Sequence, residues 1–255
     1  MASRKRSTPL ADVTVALEDN TIKRPCASAD PSSYTLVRCS DPRVLPLLRF
    51  QYITAVVEHV HVNCAATIYA EELFALQPEA TPATGSLYGK TWVAQNRRTL
   101  QFSQPSAVEA YLYNGSTATG MRGFDSCPAL AHLRLLTAEL TGVDYNFALV
   151  TFYSGGQAKL GWHSDNEAQI DQRWPIASWS FSSAPRAFDI RAKTQPEHKQ
   201  RFMLASGDLL VMGGKDCQAL TQHCVPAQLR LGEQFVRVNV TFRMLRSSGG
   251  TAEKK

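Results

Sequence analysis

Three residues of this chain have the types and the order that a metal site needs: His163, Asp165 and, well downstream, His223. Residues two apart on extended chain share a face, so His163 and Asp165 point the same way where a strand gives way to a loop after Gly155-Gly156. Two imidazoles and one carboxylate, with coordination positions left open, are the ligand set of a non-haem Fe(II) oxygenase. A His-x-Asp pair alone recurs by chance and gains weight only from the rest of the chain. Cys217 and Cys224 flank His223, but thiolates favour zinc or iron–sulfur chemistry, and no second cysteine pair completes such a site. His59-Val60-His61 imitates a two-histidine site. It is set aside because the segment reads as helical, and residues two apart on a helix point in different directions.

A second chemistry lies in Arg237-Val238-Asn239-Val240-Thr241-Phe242-Arg243, which alternates strictly. As a strand it sends Arg237, Asn239, Thr241 and Arg243 to one face and the apolar residues to the other. The planar guanidinium fork binds carboxylates in a bidentate way. The two arginine Cα atoms lie roughly 20 Å apart along a straight strand, and two inward-leaning arms close most of that distance on one small dianion. Asn239 and Thr241 suit a hydrogen-bonding wall. Tyr153 and Thr151 share a face with Leu149 and Phe147 on another apolar strand and add hydroxyls to it. The competing reading is an edge strand with a solvated, charged outer face. A metal site and a dicarboxylate wall in one chain point to a dioxygenase using Fe(II) and 2-oxoglutarate.

The elements that must position these groups follow from the pattern. At 255 residues and 44% hydrophobic, the chain suits one domain with tails. Residues 1–32 mix basic and small polar residues without a period and are expected to form a disordered basic tail. Residues 247–255 are expected to form a flexible C-terminal tail, leaving the domain at 33–246. Asp41-Pro42 suits a helix start, opening a segment that runs towards His61. Cys64 to Leu76 reads as a second helix, and Pro128 to Leu140, closed by Gly142, as a third. Strands are expected at Phe147–Tyr153, Ala177–Ser182, Phe188–Arg191, Leu209–Met212 and Val236–Met244. Helices first and antiparallel strands after imply an α+β domain with a double-stranded β-helix, or jelly-roll, core. Six unpaired cysteines read as reduced thiols, and no run of 18 apolar residues exists, so the chain is expected to be soluble and intracellular. The formal charge of +5 is compatible with a polyanionic partner without establishing one.

With these residues in hand, the chain resembles the AlkB family of nucleic-acid demethylases over about Ser86 to Leu245, most closely from Asn146 onward. The resemblance implies that His163, Asp165 and His223 hold Fe(II) and that Arg237, Asn239 and Arg243 belong to the Arg-x-Asn-x-Thr-x-Arg co-substrate motif. By it, Arg237 faces the distal carboxylate of 2-oxoglutarate and Arg243 the keto-acid end. Tyr153 stands where the family has its co-substrate tyrosine. Leu87-Tyr88-Gly89-Lys90 and Tyr111-Leu112-Tyr113-Asn114-Gly115 resemble the nucleotide-recognition hairpins of vertebrate AlkB-type DNA repair enzymes. That likeness implies that Tyr113 stacks on an extruded base opposite His163, Tyr111 lines the pocket and Tyr88 intercalates. The chain departs from the pattern at Thr151, where the family usually has Asn. It departs again at Asn166, which leaves Glu167 as the reader of a base edge, and around Ser182–Pro185, which carries an extra residue. Arg97-Arg98, Arg191 to Arg201 and Arg243 with Arg246 are basic clusters able to meet phosphates, Arg98 being the one expected to touch substrate. The implied activity is oxidative dealkylation of N-alkylated bases, releasing succinate, CO2 and formaldehyde. The expected enzyme is a monomer acting on DNA in the nucleus; the alternatives are an RNA demethylase or a dioxygenase acting on protein or lipid.

Overall fold

The computed structural model describes residues 36–39, 56–62, 65–87, 90–104, 112–113, 116–117, 121–197, 199–213 and 217–246. In chain order these begin with β1 (Leu36–Cys39), β2 (Val56–Val62), α1 (Ala65–Ala75), β3 (Thr81–Leu87) and β4 (Lys90–Ser103). The short pieces β5 (Leu112–Tyr113), β6 (Ser116–Thr117) and β7 (Arg122–Gly123) precede α2 (Pro128–Thr141) and β8 (Phe147–Ser154). Then come β9 (Leu160–His163), β10 (Ile176–Ser182), β11 (Arg186–Ala192), β12 (Lys199–Leu204) and β13 (Asp208–Gly213). The order closes with α3 (Cys217–Leu220), β14 (Thr221–Val225) and β15 (Val236–Arg243).

Two sheets face each other. The larger runs β1-β2-β13-β10-β15-β8-β4-β3, with β7 added beside β4, and the smaller runs β12-β11-β14-β9. This is the jelly-roll expected from the alternating strands. β15 is central, paired with β10 on one side and β8 on the other. Its Val238, Val240 and Phe242 are fully buried with Trp179, Phe181, Val150 and Phe152 under the two helices. Each such side chain contributes about 1.5–3 kcal/mol on burial. α1 meets this layer with Ala65, Tyr69 and Leu73, and α2 with Leu130 and Leu133, spaced three or four apart as an apolar helical stripe requires. Gly142, at φ 73°, closes α2 by donating its N–H to the Ala138 carbonyl at 2.8 Å. Thr137 fixes the helix to the sheet by accepting from the indole N–H of Trp179 at 2.9 Å. Between the sheets, Phe188, Ile190, Leu210, Met212, Val225 and Tyr153 form a second core, four of whose members also line the cavity described below.

Two expectations need correction. The segment leading to His61 ends as strand β2, not helix, and the helices do not all come first, since β1 to β4 supply four of the nine strands of the large sheet. Strand β4, 14 residues long, was not expected: its Arg97 and Thr99 line a polar cavity, while Leu100 and Phe102 on its other face join the core. On β2, His59 and His61 share a face after all, and both bond one carboxylate, Asp208, at 2.8 and 2.5 Å. The expected tails, and the residues just after Asp41-Pro42, lie outside the described residues. Among the described residues no helix is long and apolar enough to cross a membrane.

Candidate active site

The small sheet sets the two imidazoles side by side. His163 on β9 is the direct cross-strand partner of His223 on β14, and their ring centroids are 4.2 Å apart. Asp165 follows as the chain leaves β9, and its loop is pinned from three sides. Gln218 on α3 accepts the Asp165 N–H at 2.9 Å, Gln172 donates to the Asp165 carbonyl at 2.9 Å, and the Ser164 hydroxyl donates to the Thr221 carbonyl at 2.6 Å. The carboxylate is thereby turned inward, Oδ1 lying 3.6 Å from His163 Nε2 and 4.0 Å from His223 Nε2. Bonds of about 2.1 Å to one ion place their donor atoms roughly 3–4 Å apart, so these spacings fit a single divalent cation.

Electrostatics completes the donor set. Arg243 takes Asp165 Oδ2 with two N–H groups, Nη2 at 2.6 Å and Nε at 3.2 Å. Oδ1 is left buried and without a hydrogen-bond partner among the described residues, aimed at the imidazoles. Burial pushes the Asp165 carboxyl up, but Arg243, His223 and His163 outweigh it and hold the group well below the usual carboxylate range. His163 donates Nδ1–H to the Gly161 carbonyl at 2.9 Å, which keeps its Nε2 lone pair towards Asp165. His223 lies flat against Phe188, and burial pushes its pKa down to about 3, so it presents a neutral ring. Neutral imidazoles and an ionised carboxylate are the protonation states that metal binding needs.

The cavity beside these ligands is lined by Thr99, Thr151, Tyr153, Ser178, Asn239 and Thr241, among others. The solvated-edge reading of the arginine strand fails here, because Arg237, Asn239, Thr241 and Arg243 are only 1%, 8%, 6% and 3% exposed. Arg237 donates Nε–H to Ser180 Oγ at 2.8 Å and lies over the Tyr153 ring, while its Nη1 has no acceptor among the described residues. Burial pushes its pKa down to about 10. A buried guanidinium without an acid calls for an anion. Asn239 is committed to protein partners, donating to Ser178 Oγ and the Trp179 carbonyl and accepting from Thr241.

The substrate-side residues separate. Arg98 points to the helix-covered face of β4 and donates to the Ala80 carbonyl at 2.6 Å; its neighbour Arg97 is the one that lines the cavity. Arg97 was legible only through the period-two series Arg97, Thr99, Gln101, had β4 been recognised as a strand. Gln218, which holds Asp165, gave no signal in the spacing at all. Glu167 is half-buried on the loop after Asp165. β3 with β4, and β5 with β6, form hairpins where the two tyrosine segments were noted. Tyr88 and Tyr111 lie outside the described residues, and of Tyr113 the backbone alone is described, on β5.

Fold and ligand set together define a dioxygenase that uses Fe(II) and 2-oxoglutarate. A sequence model of the 2OG-Fe(II) oxygenase superfamily matches residues 60–243. The DNA oxidative demethylase ALKBH2 of Bos taurus is 30% identical over 202 residues, which cover 72% of this chain and 69% of that protein. The alpha-ketoglutarate-dependent dioxygenase alkB homolog 3 of Rattus norvegicus is 37% identical over 124 residues, 46% of this chain. That alignment spans 41% of the rat protein. The solved structure of OsALKBH1 is similar with a TM-score of 0.48 at 15% identity, covering 76% of this chain and 99% of that one. The chain belongs to the 2OG-Fe(II) oxygenase superfamily and, within it, to the AlkB family.

Proposed function

We propose that the chain is an oxidative demethylase of N-alkylated nucleobases, with DNA the favoured substrate and the nucleus its expected place of action. The observation that carries the co-substrate part is Arg237, a buried cation with an unused N–H and no acid partner among the described residues. In this reading Arg237 takes the distal carboxylate of 2-oxoglutarate, Tyr153 and Thr151 border its chain, and Thr241 with Arg243 stand at the keto-acid end. Asn239 acts through Ser178 and Thr241, keeping that wall in shape. Arg243 also fixes which oxygen of Asp165 is offered to the metal.

Bound Fe(II) supplies the redox chemistry that couples decarboxylation of 2-oxoglutarate to oxidation of a C–H bond. The protein's share is positioning: pinned ligands, a neutral His223 and a polar cavity directly beside them. The nucleic-acid part rests on the likeness to the bovine DNA oxidative demethylase and on the two hairpins, with Tyr113, Tyr111 and Tyr88 as the residues expected to hold an extruded base. Arg97 replaces Arg98 as the arginine nearest that base, and Glu167 remains the proposed reader of its exocyclic edge. The test is turnover on a panel of N-methylated DNA and RNA oligonucleotides, followed by mass spectrometry and succinate release. Demethylated DNA with matching succinate is expected. Preference for RNA would move the assignment to an RNA demethylase. Succinate release with no methyl loss from any oligonucleotide would overturn the nucleic-acid reading.

A further inference from the structure

One buried cation is not used by the metal or by the proposed co-substrate wall. Arg186, the first residue of β11, is 0% exposed. Its guanidinium donates to three carbonyls on two separate stretches of chain: Gly156 at 3.4 Å, Ala158, and Pro226 at 2.9 Å. It rests against the Phe235 ring, 5.8 Å from its centroid. Its Nε has no acceptor among the described residues. Burial depresses its pKa, the sign of a charge kept in an unfavourable place. A buried arginine held by carbonyl dipoles is a costly crosslink, so what it links is informative.

The two linked stretches flank the strands that carry the two imidazoles. Ala158 lies just before β9, which carries His163, and Pro226 follows β14 directly, which carries His223. β9 is the edge strand of the small sheet and has β14 as its neighbour. The described pairing between them is slight: His223 opposite His163 and Val225 opposite Leu160, with a register shift between. Two register pairs interrupted by an irregularity define an edge strand poorly, because a shift of one residue turns His163 to the other face. Gly156 reinforces the same junction, its N–H bonding the Gly232 carbonyl and its carbonyl accepting from Gln228, both at 2.7 Å. Gln228 in turn accepts the Ala187 N–H at 2.6 Å, beside Arg186.

We propose that Arg186 is a positioning residue for the metal site: it clamps the entry of β9 to the exit of β14 and so fixes His163 against His223. The inference rests on the iron-site reading and is independent of which substrate is demethylated.

Arg186→Lys tests it, since the lysine keeps the charge but cannot reach three carbonyls at once. Anaerobic titration of the metal-free protein with Mn(II) should show affinity at least tenfold weaker, with the melting temperature of the metal-free protein changed by only a few degrees. In steady state, kcat for succinate formation should fall, while the 2-oxoglutarate KM stays within about threefold, because the lysine keeps the positive charge that faces Arg237 and Tyr153. A folded Arg186→Lys protein with wild-type Mn(II) affinity overturns the proposal. Should that variant not fold, Phe235→Leu removes the ring under the guanidinium and leaves every donor in place; it should weaken Mn(II) two- to fivefold, and unchanged affinity there is equally fatal. Wild-type protein that binds Mn(II) but forms no succinate would count against the proposed function alone.

Discussion

Replacing Arg237 by methionine should make the protein no less stable and at the same time a poor user of 2-oxoglutarate. Burial pushes the Arg237 pKa from the ordinary guanidinium range down to about 10. At about 1.4 kcal/mol per pH unit, that is a penalty of about 3 kcal/mol for keeping the charge inside the fold. The sign follows from the direction: the folded pKa lies below the unfolded one, so the charged form is disfavoured by folding at any pH below about 10. Methionine of similar size removes that penalty, and gives up the hydrogen bond to Ser180 and the contact with the Tyr153 ring, about 1 kcal/mol each. The balance is about 1 kcal/mol in favour of Met, or a melting temperature unchanged to roughly 4 °C higher for a domain of this size. Binding moves the other way. A charge-assisted hydrogen bond to a carboxylate contributes about 1.5–3 kcal/mol, so the 2-oxoglutarate KM should rise roughly 10- to 150-fold. Thermal melts with Mn(II), with and without 2-oxoglutarate, and succinate formation against 2-oxoglutarate concentration measure both halves. A wild-type KM in Arg237→Met would refute the assignment of the wall. A melting temperature many degrees lower would refute the claim that the charge lacks an internal counterpart.

Asp165→Ala should abolish Mn(II) binding and turnover. It should also cost several degrees of melting temperature, because Arg243 loses the carboxylate it clasps; Fe(II)-dependent turnover near the wild-type rate would rule Asp165 out as a ligand. Burial raises the Asp208 pKa, but the hydrogen bonds from His59 and His61 outweigh it, and the folded value lies below the ordinary one. Its contribution is therefore present above about pH 4 and lost as pH falls through the folded pKa, so acid unfolding should be shallower in Asp208→Asn than in wild type. Identical acid limbs would show that β2 is held to β13 by its backbone ladder alone. Tyr88→Ala should impair activity on a methylated duplex more than on the same strand unannealed, since a wedge fills the gap an extruded base leaves; equal loss on both forms would remove Tyr88 from that role.

What the sequence made legible was periodicity with chemistry on one face. Arg237 to Arg243 declares itself because polar and apolar residues alternate without a break, and the structure puts the polar set inside and the apolar set under helices. α2 was visible for the related reason that Leu130 and Leu133 recur at helical spacing and Gly142 stops them. β4 was not, because only Thr99-Leu100-Gln101-Phe102-Ser103 at its end alternates, while the longer stretch before it, Lys90 to Arg98, is mixed and includes Asn96, Arg97 and Arg98. β2 was misread where the half-buried His59 and His61 turn to the Asp208 carboxylate. In each case the misread residues serve a site or a partly buried polar cluster, so the failure of the pattern was itself a signal.

The one thing no spacing could show is that the arginine strand and the metal loop are one unit. From the sequence, Arg243 belongs to the co-substrate and Asp165 to the metal. In the fold, Arg243 reaches Asp165 with two N–H groups, so the strand that walls the cavity also fixes a ligand. That strand is held in register by Val238, Val240 and Phe242 on its other face. A loss of packing beneath it, such as Phe242→Ala, would therefore reach the metal through Arg243, not only through global stability. Leu133→Ala, in the same core but on α2, has no such route. At equal loss of stability the two variants should differ in Mn(II) affinity, Phe242→Ala being the weaker binder. Equal affinities would mean that the contact between Arg243 and Asp165 adjusts freely and couples nothing.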